Sequence, residues 1–236
     1  MRKPNLGSSR RGFLKSSGIA IAMGVGLPPF GAIAHGTEKT GESIEAISPV
    51  EDLMREHGIL TRVLLIYDEI SLRIDSGKEF PSDALTAAAR IIQRFVENYH
   101  EKLEEDYLFP RFEKAGKLVD IVKVLLAQHQ GGRRLTTQIL SLPSKPLPLE
   151  EKSRLKVYLR AFCRMYRPHK AREDTVLFPA FHTIVSAKAF DSLGESFEDK
   201  EAELFGEGGF EKIVDEVAGI EKRLGIFDLS QFTPRP

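Results

Sequence analysis

Two stretches of this chain pair a histidine with a glutamate four residues further on: His100-Glu-Lys-Leu-Glu104 and His169-Lys-Ala-Arg-Glu173. On a helix, that spacing puts both side chains on one face. The same apolar tail follows each motif, Leu108-Phe109-Pro110-x-Phe112 in the first and Leu177-Phe178-Pro179-x-Phe181 in the second. A lone histidine precedes each at similar distance, His57 lying 43 residues before His100 and His129 lying 40 before His169. The chain therefore carries one unit twice, a histidine helix followed by a His-x3-Glu helix. Four imidazoles and two carboxylates on four helices are enough ligands for a two-metal site inside a bundle.

The elements that must position these residues are helical. Leu53, His57, Leu60, Leu64 and Tyr67 recur by four and three, the inward stripe of a bundle helix. Asp75-Ser-Gly-Lys ends that helix and Pro81-Ser-Asp opens the next, which carries Ala89, Ile92, Val96, His100, Leu103, Glu104 and Tyr107. A third carries Leu118, Val122, Leu125, His129, Thr136 and Ile139. After a loop from Ser141 to Pro148, the fourth carries Leu155, Leu159, Phe162, Tyr166, His169, Glu173 and Val176. No segment shows sustained strand alternation. Histidines and glutamates on stripes otherwise filled by Leu, Val, Phe and Tyr are costly to bury unless paired or bound to metal. Six converging in one core are most simply explained by cations. Pro110 and Pro179, each six residues after its glutamate, predict a shared bend or a shared helix end, and Leu-Phe-Pro-x-Phe reads as an apolar plug over one end of the site. Residues 187–225 read as further amphipathic helix interrupted at Gly206-Glu-Gly-Gly, packed across the bundle or against a second subunit of a homodimer. Glu198, Glu201 and Glu203 on it are the acidic residues that could approach the site.

The first 34 residues read as a leader. Ser9-Arg10-Arg11-Gly12-Phe13-Leu14-Lys15 is a twin-arginine pattern, an apolar stretch runs from Gly18 to Leu27, and Ala32-Ile33-Ala34 fits a small-residue cleavage site. The apolar stretch is too short to span a bilayer. Resemblance to twin-arginine signals implies export of the folded, metal-loaded protein to the periplasm or another extracytoplasmic compartment, with cleavage after Ala34. The whole chain has 34 basic and 34 acidic residues. The leader holds five basic residues and no acidic one, leaving 29 against 34, a net charge of −5. That balance argues against a nucleic-acid surface. Cys163 is the single cysteine, so the chain has no intrachain disulfide and no cysteine-based cluster. The expected organisation is a signal peptide at 1–34, a linker at 35–48, a helical bundle at 49–189 and a C-terminal helical extension and tail at 190–236.

Between Val50 and Ser186 these motifs resemble the hemerythrin-like, or HHE cation-binding, family. The resemblance implies an all-α, antiparallel, up-down-up-down four-helix bundle around a non-haem di-iron centre. Carried over, His57, His100, His129 and His169 become terminal ligands, two per iron. Glu104 and Glu173 become bridging carboxylates beside an oxo or hydroxo bridge. Mixed imidazole and carboxylate donors suit iron or manganese, with zinc possible. Two departures stand out. Oxygen-carrying hemerythrins have a second histidine where this chain has Arg133, and a His-x4-Asp in the last helix, so Asp174 competes with Glu173 for the bridging role. The four-histidine, two-glutamate set is closer to the di-iron proteins of iron–sulfur cluster repair, although the N-terminal cysteine segment common there is absent.

Three functions fit these residues. A small oxidant (dioxygen, nitric oxide or peroxide) could be bound or sensed at coordination positions the protein leaves unfilled. The same centre could act as an oxidase or peroxidase, or protect iron centres under oxidative or nitrosative stress. The ions could also be structural or stored. Of the remaining candidates, His35 and His182 fall outside the repeat. Tyr67, Tyr99, Tyr107 and Tyr166 read as core that could also orient ligands, Cys163 as a small buried hydrophobe, and Arg133 as a partner for a carboxylate or an anion.

Overall fold

The computed structural model describes residues 47–142 and 147–234. The leader, the linker up to residue 46, His35 and the middle of the expected 141–148 loop lie outside the described residues. Within them the protein is all-helical, with no strand. Helix α1 spans Pro49–Asp75. Ser48 caps it, its hydroxyl accepting from the Glu51 amide at 3.2 Å, and Pro49 fills the first-turn position where a missing N–H costs nothing. Helix α2 is a continuous rod over residues 82–115, closed by Gly116 at φ 63°. Helix α3 spans Val119–Leu140. Leu118, expected on its stripe, instead sits just before it at φ 52°, the left-handed residue that turns the chain into the helix. Helix α4 runs over residues 149–181, α5 over Ala187–Phe205 and α6 over Gly209–Leu224, followed by a short 3-10 turn at Leu229–Phe232.

The expected proline bend or end takes a different form, because both helices run on past their prolines. A matched π-helical turn ends one residue short of the Phe-Pro pair's proline in each, Glu104–Leu108 in α2 and Glu173–Leu177 in α4. The Phe109 amide donates to the Glu104 carbonyl and the Phe178 amide to the Glu173 carbonyl, five residues back instead of four. A π turn already forgoes part of the four-residue ladder, so a residue without an N–H is tolerated just after it. A further π stretch, Ile92–His100, precedes the first motif. Both glutamates thus begin a wide turn, a register that the α-helical spacing alone does not forecast.

The core is one cluster. Helix α1 packs chiefly on α4, and α3 on α4. Leu53, Leu60, Leu64 and Tyr67 meet Leu155, Leu159 and Phe162 within this cluster, Tyr67 edge-on to Phe162 at 5.4 Å. The C-terminal helices lie on their own chain's bundle. Helix α6 packs on α1 and α2 and contributes Ile213, Val217, Ile220 and Leu224 to the same core. Arg62 donates to both carboxylate oxygens of Glu221 at 2.9 and 2.5 Å, tying α6 to α1. Phe205 and Phe210 pack against Phe95 at 5.6 and 6.4 Å, covering α2. The boundary expected at 189/190 falls inside the first turn of α5. No helix among the described residues is long and apolar enough to cross a membrane.

Candidate metal centre

The six residues singled out by spacing converge in the bundle. His57, His100 and Glu104 present ligand atoms within 4.8 Å of one another, and so do His129, His169 and Glu173. The rings of His57 and His100 lie 4.7 Å apart, those of His129 and His169 5.0 Å. The glutamates join these two pairs. Glu104 turns Oε1 toward His100 Nε2 at 3.7 Å and Oε2 toward His129 Nε2 at 3.5 Å. Glu173 turns Oε2 toward His57 Nε2 at 3.3 Å and Oε1 toward His169 Nε2 at 3.2 Å. Each carboxylate therefore offers one oxygen to each histidine pair, the arrangement of a bridging ligand.

These side chains fit a metal better than they fit each other. Glu104 and Glu173 are 0 % exposed; Glu104 has no hydrogen-bond partner among the described residues, and Glu173 has only the His57 and His169 imidazoles at 3.3 and 3.2 Å. Two carboxylates so placed in an apolar core are strongly unfavourable without a cation. Without metal, the site divides its protons unevenly. Burial and the nearby Glu173 charge push Glu104 well above the usual carboxylate range. Burial also works on Glu173, but His169 and His57 outweigh it and hold that carboxyl low. Two like charges this close do not both ionise. Burial opposes charge on His57, yet Asp174 and Glu173 prevail and raise it to about 9, whereas burial dominates at His129 and lowers it to about 4.

Every imidazole is held from behind, a feature the spacing argument missed. His57 Nδ1 meets Asp174 Oδ1 at 2.7 Å, and His129 Nδ1 meets Glu105 Oε1 at 3.0 Å. His100 Nδ1 meets Glu56 Oε2 at 2.8 Å, and His169 Nδ1 meets Gln128 Oε1 at 2.8 Å. Such bonds fix the ring and leave Nε2 as the donor to a metal. The signal was present as doublets at matched positions: Glu56-His57 and Gln128-His129, then Glu104-Glu105 and Glu173-Asp174. In each acidic doublet the first residue enters the site and the second holds a histidine of the other unit. Asp174 is thereby placed as the partner of His57, and Glu173 faces the imidazoles.

The apolar tails close over this cluster. Phe178 stacks on His57 at 5.6 Å and Phe109 on His129 at 5.6 Å, each ring covering the other unit's histidine. Phe112 and Phe181 meet behind them at 5.7 Å.

Arg133, where a histidine stands in oxygen carriers, forms 2.8 Å ion pairs with both Glu101 and Glu105. Tyr166 donates to Glu101 at 2.6 Å and sits edge-on to His169 at 5.2 Å. Its hydroxyl occupies space that only glycine leaves open. A Cβ on Gly132 would fall inside the phenol oxygen and within 2.7 and 2.9 Å of two ring carbons. The other candidates lie elsewhere. Tyr107 packs edge-on to Phe197, and Tyr67 and Tyr99 are core. Cys163 is buried, its thiol pushed up to about 12 by that burial. His182 is exposed against Phe190. Glu203 is exposed and Glu198 half-buried, whereas Glu201 is buried beside Asp52 and Glu56 and accepts from the Phe210 amide at 2.7 Å.

Residues 48–181 match the hemerythrin HHE cation-binding domain, and the chain belongs to that family. Relatives in Mycobacterium bovis and in two strains of Mycobacterium tuberculosis, each described as an uncharacterized protein, are 47 % identical over 218 residues, covering 92 % of this chain and 85 % of theirs. No solved structure matches the chain significantly.

Proposed function

We propose that the protein is an exported non-haem di-iron protein of antiparallel four-helix architecture that binds or senses a small oxidant such as dioxygen, nitric oxide or peroxide. One observation carries the reading. Two buried carboxylates, with only imidazoles around their oxygens, each present one oxygen to each of two histidine pairs. His57 and His100 would hold one iron and His129 and His169 the other, with Glu104 and Glu173 shared between them. Iron supplies a redox change at positions that six protein ligands leave unfilled. The chain's own contributions are distinct. Asp174, Glu56, Glu105 and Gln128 hold the imidazoles in one tautomer, and the Phe109 and Phe178 rings exclude water from the histidines they cover. Arg133 and Tyr166 keep Glu101, which burial raises to about 8, tied to side chains other than the ligands. The twin-arginine pattern supports loading in the cytoplasm and function outside it.

The test is iron content and visible spectra of the reduced, full-length protein before and after exposure to oxygen and to nitric oxide. About two irons per chain and a band that forms and reverses are expected for this ligand set. Two irons that oxidise without reversal would shift the reading to oxidase or peroxidase chemistry. Two irons indifferent to oxidants would leave a structural or storage centre, and zinc or no metal would overturn the di-iron reading.

A further inference from the structure

The two histidine pairs are related by the internal repeat, but their supports are not equal. His57 and His100 both donate from Nδ1 to carboxylates, Asp174 at 2.7 Å and Glu56 at 2.8 Å. His129 and His169 lean on Glu105 at 3.0 Å and on the neutral amide oxygen of Gln128 at 2.8 Å. Glu105 is shared as well, accepting Arg133 at 2.8 Å and Lys102 at 3.0 Å. A carboxylate behind an imidazole makes the opposite nitrogen a stronger metal donor. An amide oxygen, which carries no charge, does so only weakly.

The surroundings differ in the same direction. Helices α5 and α6 cover the α1 and α2 side. Between α3 and α4 there is instead a groove of about 400 Å³, walled by Ile121, Leu125, Gln128, Pro168, His169 and Arg172. Gln128 and His169 are thus both orienting pair and groove wall.

We infer that the two metal positions are unequal: the His57–His100 position fills first and holds tightly, while the His129–His169 position is the exchangeable one, and Gln128 sets the difference. The inference rests on the two-metal reading above. It makes Gln128 a positioning residue, one that stands between His169 and the α3–α4 groove.

The experiment is a Co(II) titration of the full chain, stripped of metal, against a chromophoric competing chelator. Two binding steps are expected, separated by roughly tenfold or more in affinity. Gln128→Glu, nearly isosteric, should tighten the second step and narrow the gap. Glu56→Gln should narrow it from the other side by weakening the first. His169→Ala should delete the weak step and His100→Ala the tight one, with far-UV circular dichroism confirming that each variant is folded. Two equal steps in the wild-type chain, or a gap that neither Gln128→Glu nor Glu56→Gln changes, would overturn the inference and leave the two-metal centre standing. If His169→Ala takes up as much cobalt as His182→Ala, the centre itself is refuted and the inference falls with it.

Discussion

At the scale of single residues, the centre separates side chains that face the metal positions from side chains that aim them. His169→Ala removes a group within 3.2 Å of the Glu173 carboxylate, whereas His182 is exposed against Phe190. Metal analysis should show a loss of bound ion in His169→Ala and none in His182→Ala, and a chelator-sensitive melting temperature should fall only in the former. Asp174→Asn and Glu105→Gln keep size and shape while removing the charge behind His57 and His129. Asp174→Asn is expected to weaken metal binding by about 10- to 100-fold and Glu105→Gln by less, with helical content unchanged in both, measured by chelator competition. The six inward residues were legible because duplicated His-x3-Glu spacing is rare by chance. Their four supports were harder to read. An acid beside a ligand is ordinary on a helix surface, and nothing in the α-helical pattern says which of two adjacent acids turns inward. The wide turns beginning at Glu104 and Glu173 bear on that choice, and they are produced by the backbone register.

At the scale of elements, helix α3 is shaped around a residue of α4. Gly132 lies in the middle of α3, where glycine ordinarily costs helix stability, and the Tyr166 phenol fills the space it leaves. Gly132→Ala should destabilise the protein by about 1–3 kcal/mol through overpacking, measured by urea denaturation. Adding Tyr166→Phe should recover only part of that loss, because two ring carbons still crowd the new methyl and Glu101 loses its 2.6 Å donor. The helices were legible from their stripes and most of their starts from the turn residues, but the ends of α2 and α4 were left open at the prolines. The exceptions are instructive: Leu118 has the right spacing for α3 but takes a left-handed turn before it, and Pro110 and Pro179 are accommodated by π turns. Spacing reports which face a residue can share. It does not report local hydrogen-bond register.

At the scale of the whole molecule, the C-terminal helices are part of the core. Ile213, Val217, Ile220 and Leu224 are buried against α1 and α2, and Arg62 with Glu221 fixes the register of α6 on α1. Ile213→Ala should therefore cost about 2–5 kcal/mol, a core-sized penalty for a residue outside the family-matched span, read from the denaturation midpoint. The amphipathic pattern announced these helices but left open whether their apolar face met this chain or another, since periodicity reveals a buried face without identifying what buries it.

The pattern of who holds whom is reciprocal between the two halves of the chain. Glu105 of the first half supports His129 of the second, and Asp174 of the second supports His57 of the first. Phe109 and Phe178 are exchanged in the same reciprocal way, as are the outer oxygens of Glu104 and Glu173. These are self-complementary contacts of the kind found across a twofold axis between identical partners. One helical hairpin alone would have half a centre, and two copies of it would have a whole one. The chain has the layout of a symmetric pair joined end to end, and the symmetry breaks where Glu56 supports His100 in one half and Gln128 supports His169 in the other.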